Sequence, residues 1–118
     1  MNDELIRKHE GHYTHLTLNR PQKANALSAT LVEALLDAVE YAYDDGTRLL
    51  VLDGAGAHFC AGFDFGGFQE QSEGDLALRF IRIETLLQKL HHAPFETLAC
   101  AHGRVFGAGA DLIAACGV

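Results

Sequence analysis

Two short stretches of this chain carry the residue types from which an anion-stabilising site is built. One is A-G-F-D-F at residues 61–65, and the other is F-G-A-G-A-D at residues 106–111. Each gathers small residues around glycine where an apolar run ends, so each can bring backbone N–H groups close to a ligand. In the second stretch, Gly107, Ala108 and Gly109 form the first turn of a predicted helix. The N–H groups there lack intrahelical acceptors and carry the positive end of the helix dipole. Such a donor suits a carbonyl oxygen that is becoming an oxyanion. A second donor, the N–H of Phe63 after the Ala61–Gly62 turn, makes the pair that enolate or tetrahedral chemistry needs. The same small residues equally suit close packing of a helix on a strand. Asp111 has two readings as well: a carboxylate that positions water or moves a proton, or an acid favoured in a first helical turn.

Other constellations are weaker. G-A-G-A-D-L offers the G-x-G of a dinucleotide fingerprint, but Leu112 stands at the third glycine position. The acidic partner of that motif, about twenty residues on, falls past Val118. His9, His12 and His15 recur every third residue in a strand-like stretch. On a strand that spacing sends successive side chains to opposite faces, so one metal cannot collect all three. Cys60, Cys100 and Cys116 include no C-x-x-C pair, which indicates neither a disulfide framework nor a zinc knuckle. Buried thiols in a reducing compartment fit them better, and a cytoplasmic location is expected. His91 and His92 stand before Pro94, where a cation meets the negative end of a helix.

The elements that must position these residues follow from hydrophobic patterning. The chain has 118 residues, 48% of them apolar, with a formal charge of -7. That balance gives a globular domain with one small core and a surface that repels nucleic acid and anionic membranes. Two short strands, Ile6 to His9 and His12 to Leu18, turn at Glu10-Gly11 and stop before Pro21. Ser28 caps a helix with an apolar stripe of Leu31, Leu35, Ala38, Val39 and Ala42, ended by Gly46. R-L-L-V-L-D-G-A-G reads as a strand buried on both faces, followed by a polar, glycine-rich stretch from Gly66 to Asp75. An amphipathic helix before Pro94, a second buried strand at E-T-L-A-C-A-H-G and a last helix complete an α/β order with parallel pairing. In such sheets ligands bind beyond the carboxyl ends of the strands, where both glycine turns fall.

L-N-R-P-Q-K-A-N-A-L-S, H-F-C-A-G-F-D-F and A-H-G-R-V-F-G-A-G-A-D-L, in this order and spacing, resemble the crotonase, or enoyl-CoA hydratase/isomerase, superfamily. The resemblance covers essentially the whole chain. It implies a spiral of ββα units that holds acyl-CoA thioesters, with residues 1–118 as the N-terminal part of one such domain. It implies that the thioester oxygen sits between the backbone N–H groups of Phe63 and Ala108, where alanine replaces the family's usual glycine. Lys23, Ala24 and Ala26, with Ala61, Asp64, Phe65 and Phe106, match the substrate-binding segments. Lys23 is a cation a phosphate can use or an ordinary exposed lysine, and Asp64 suits a turn-stabilising role. Asp111 matches the first of two catalytic glutamates of hydratases, one methylene shorter. The second acid, and the helices that build trimers and hexamers, lie beyond Val118, so a truncated domain is expected. No cofactor is implied apart from the coenzyme A carried by the substrate.

Overall fold

Strand β1 (Leu5–Glu10) turns at Gly11, whose φ of 59° suits a residue without Cβ. It pairs antiparallel with β2 (Tyr13–Leu18), Leu5 opposite Leu18 and Glu10 opposite Tyr13. The computed structural model describes residues 4–66 and 70–117. After β2, Pro21–Lys23 form one 3-10 turn and Ser28 caps α1 (Ala29–Asp44), accepting a hydrogen bond from the Leu31 N–H. Gly46, at φ 85°, reverses the chain after α1. β3 (Leu49–Gly54), α2 (Glu73–His91), β4 (Glu96–Ala99) and α3 (Ala108–Ala115) follow.

The sheet order is β1-β2-β3-β4, with β3 parallel to both β2 and β4. Side chains alternate across a strand, so Leu16, Leu18, Leu50 and Leu52 all face one way, onto Leu31, Leu35 and Val39 of α1 and Ile83, Leu86 and Leu90 of α2. Leu112 of α3 and Phe59, both fully buried, close this single core. Beyond the long strands lies a second, shorter layer of extended chain. Leu27 makes one parallel bridge to Phe63, and Cys60 makes one to Val105. Each turn of the chain thus runs strand, short extended segment, helix, which is the ββα repeat expected.

Three expectations are corrected. Cys60 and Cys116 are buried, but Cys100, which follows the edge strand β4, is exposed. The polar stretch from Gly66 to Asp75 runs into the amphipathic helix, which starts three residues before its apolar pattern at Leu76. Ser72 caps α2 by accepting from the Asp75 N–H, so Glu73 to Asp75 are already its first turn. Gly67, Phe68 and Gln69 of that stretch lie outside the described residues. Nor is β4 buried on both faces. Of its four residues only Thr97 is buried, because β3 is its single neighbour among the described strands.

Candidate functional site

Three loops leave the carboxyl ends of β2, β3 and β4 and stack in that order. The first, around Arg20 to Leu27, is organised by Asn25, which is fully buried at φ 56°. Its side-chain oxygen accepts from the Arg20 N–H at 2.7 Å, and its Nδ2 donates to the carbonyls of Ala55 and His58 at 2.9 and 2.8 Å. A left-handed residue with a short amide can thereby bond the neighbouring loop as well as its own. The second loop is fastened on by Ala61 N–H to Ala24 O, Leu27 N–H to Gly62 O and Asp64 N–H to Leu27 O. The third is fastened on by Phe59 N–H to His102 O, Cys60 N–H to Arg104 O and Phe106 N–H to Cys60 O.

The two glycine turns meet inside this stack. Gly62 has a φ of 91°, and a Cβ placed on it would stand 2.7 Å from the Phe106 oxygen and 3.5 Å from the Ala108 nitrogen. Gly109 is pressed equally close to the Cys60 carbonyl, 2.5 Å from where its own Cβ would lie. Only glycine permits backbones to approach like this. In the parallel bridge to Leu27, the groups that bond are Gly62 O and Asp64 N–H. Phe63's own N–H is therefore left on the far side from Leu27. Ala108 opens α3 after Gly107, where an N–H has no acceptor within the helix. Among the described residues, neither N–H donates to a protein acceptor.

The other sequence-predicted residues distribute around these turns. Asp64 accepts from the Gly66 N–H at 2.8 Å and pairs with Arg20 at 2.9 Å, so it stabilises its turn, as an Asx residue does. Burial raises its pKa, but the Gly66 N–H and the charges of Arg20 and Arg79 outweigh that and leave it below the ordinary carboxylate range. Phe63 stacks on Phe80 of α2 with ring centroids 4.6 Å apart, and Phe65 tilts against it at 4.9 Å. Phe65 and Phe106 are largely exposed, and Lys23 stands in the open at the end of the 3-10 turn. Ala24 and Ala61 lie where the first two loops touch, and Ala26 is buried beside them in the first loop, bonded to Lys23, Ser28 and Arg20. Asp111, one helical turn past Ala108, lines a cleft of about 420 Å³ between α2 and α3, with Glu84, Leu87, Gln88 and His91. A larger depression of about 640 Å³, walled by Leu5, Arg7, Ala34, Ala38 and Tyr41, lies between β1 and α1. Its walls are strand and helix surfaces away from both turns.

Three residues that hold the turns were given no role from the sequence: Arg20 and Asn25, which stand inside the quoted L-N-R-P-Q-K-A-N-A-L-S motif, and Arg79, which lies outside the motifs. Arg20 bonds Glu4, Asp64 and the Ala26 carbonyl together. For Arg79 the sequence does hold a signal. It occupies the buried stripe of α2 with Ile83, Leu86 and Leu90, and an arginine on an apolar stripe needs partners.

The family model described as enoyl-CoA hydratase/isomerase matches residues 9–118. The chain belongs to the enoyl-CoA hydratase/isomerase family. A relative from Rhodobacter capsulatus, named a probable enoyl-CoA hydratase, is 38% identical over 104 residues, 87% of this chain and 40% of that protein. The mouse mitochondrial Delta(3,5)-Delta(2,4)-dienoyl-CoA isomerase is 30% identical over 119 residues, 91% of this chain and 36% of its own. A solved structure from Bordetella parapertussis, described as an enoyl-CoA hydratase/isomerase, superposes with a TM-score of 0.94 at 55% identity. That match covers 96% of this chain and 47% of the other. The enoyl-CoA hydratase of Mycobacterium smegmatis gives 0.92 at 32% identity, covering 99% and 47%. The fold is therefore the crotonase fold, and the chain spans about two-fifths to one-half of the length of these relatives.

Proposed function

We propose that the chain provides the thioester-binding half of an acyl-CoA hydratase or isomerase. One observation carries this reading: the turns of Gly62 and of Phe106 to Ala108 are in contact, and the N–H groups of Phe63 and Ala108 make no protein hydrogen bond among the described residues. A thioester oxygen set between them receives two donors. When water adds at the β-carbon of an enoyl thioester, or a base takes the α-proton, the electron pair moves onto that oxygen and an enolate forms. The donors, one of them at a helix N-terminus, stabilise that charge more than the neutral carbonyl, so the barrier falls. Asp111 is the proton carrier. It stands one helical turn from the Ala108 donor and in contact with open space. Lys23 lies towards the nucleotide phosphates, Ala24, Ala26 and Ala61 line the coenzyme, and Phe65 and Phe106 flank the acyl group. Coenzyme A enters as part of the substrate and no other cofactor is required. A complete protein of this kind assembles as a trimer or a hexamer.

A second reading has one observation in its favour. Since the chain spans 40% of the Rhodobacter relative, the alternative is a non-catalytic module that binds acyl-CoA, or only assembles with partners, without turnover. The experiment that separates the two is exchange of the α-protons of butyryl-CoA in deuterated water, followed by mass spectrometry. Deuterium incorporation that Asp111→Asn lowers by about a hundredfold or more is expected of the enzyme. Binding without exchange supports the second reading. Binding of NAD in preference contradicts both, and a folded chain that binds no acyl-CoA contradicts the enzyme and leaves only assembly with a partner.

A further inference from the structure

We propose that Arg79 is a positioning residue that fixes the Phe63 N–H in its donor orientation, an inference that rests on the oxyanion reading above. Arg79 belongs to the buried stripe of α2 and is 7% exposed, a costly place for a cation unless its donors are engaged. Among the described residues, three of the guanidinium's four contacts fall on Phe63 itself, on the next residue Asp64 or on its bridge partner Leu27. Nη2 donates to the Asp64 carbonyl at 2.9 Å and to the Leu27 carbonyl at 3.1 Å. Nη1 donates to Gln71 Oε1 at 3.1 Å, and Cζ lies 3.9 Å over the Phe63 ring.

These contacts hold two parts of the Phe63–Asp64 segment and the residue that pairs with it. The ring of Phe63 is held from one side by the cation and from another by the stacked Phe80 ring. The carbonyl that follows Phe63 is held by Nη2. Leu27, whose carbonyl also receives the Asp64 N–H, is fixed to the same nitrogen. Swinging the Phe63 N–H out of line would lift its ring from the guanidinium and break the bridge to Leu27. A leucine at position 79 would fill the stripe and supply none of this. The acyl-CoA reading needs a donor held in place before the charge develops, and α2 supplies the cation that does so.

The test uses the full chain with a bound α,β-unsaturated acyl-CoA and reads the infrared stretch of its thioester carbonyl, which falls as the oxygen is polarised. Coenzyme A affinity is measured in parallel. Arg79→Met is expected to keep that affinity within about threefold and to lose most of the carbonyl shift. Arg79→Lys is expected to restore part of the shift, because one nitrogen bonds both carbonyls and an ammonium can take its place. A full shift in a folded Arg79→Met overturns the proposal, as does a loss that lysine does not relieve at all. If Arg79→Met does not fold, Gln71→Leu decides, since it removes only the Nη1 partner. A smaller shift in that variant supports the proposal and an unchanged one overturns it. A wild-type chain that binds acyl-CoA with no carbonyl shift removes the oxyanion reading, and this inference falls with it. A wild-type shift that Arg79 variants leave intact removes the inference alone.

Discussion

At the scale of single residues the site depends on glycines whose Cβ would meet backbone and on an acid whose pKa is depressed. Gly62→Ala forces a side chain into φ 91° and places its Cβ 2.7 Å from a backbone oxygen. Strain of this kind costs about 1–3 kcal/mol, and relief of the clash must move the Phe106–Ala108 turn. Gly11→Ala is the control. Its φ is 59°, nothing lies within 4 Å, and it sits in the hairpin. Urea titration should find it weakened by roughly 1–2 kcal/mol, with acyl-CoA binding unchanged, whereas Gly62→Ala should lose both. Asp64 makes a different prediction. Its folded pKa is depressed, so its contribution to stability is fully present above the unfolded value, near pH 4, and is lost as pH falls towards the lower folded value. Asp64→Asn should therefore be less stable than wild type near neutrality and should show a shallower fall in urea midpoint between pH 5 and pH 3. Parallel acid limbs would contradict the Arg20–Asp64 pairing.

At the scale of elements, helix positions and strand pairing were legible from the chain alone, because they follow from local rules. The Ser28 cap and the stripe from Leu31 to Ala42 define α1 in both sequence and structure. The short run of β4 is different. Its apolar residues match a strand buried on both faces, but burial depends on what packs beside it, and only Thr97 is covered. The start of α2 was also hidden, since Glu73, Gly74 and Asp75 belong to the polar, glycine-rich stretch and lack the apolar pattern until Ser72 is seen to cap them. The candidate donors were legible as small-residue turns, yet the partners of the buried groups beside them were not. Asn25 and Arg79 bond carbonyls distant in sequence, and no local pattern encodes such partners. α3 offers the test at this scale. Gly109→Ala would drive its Cβ to 2.5 Å from the Cys60 carbonyl, so the helix start must retreat. A loss of about 1–3 kcal/mol with a matching loss of the preference for acyl-CoA over free coenzyme A is expected. A variant as stable and as selective as wild type would show that α3 does not need this contact.

At the scale of the whole molecule, the fold brings every loop of the candidate site to one end of the sheet. That is where parallel strands place their ligands. The acyl-CoA relatives extend well beyond the region matched here, so the question for this chain is whether its own two donors already form a site. Both are backbone groups set by contacts within the described residues. Isothermal titration of the purified chain with butyryl-CoA, beside free coenzyme A and NAD, measures this directly. The thioester oxygen is the group that both donors address, so butyryl-CoA should bind at least about tenfold more tightly than coenzyme A, with NAD far weaker than either. Equal affinity for butyryl-CoA and coenzyme A in a folded chain would contradict a formed oxyanion hole between Phe63 and Ala108.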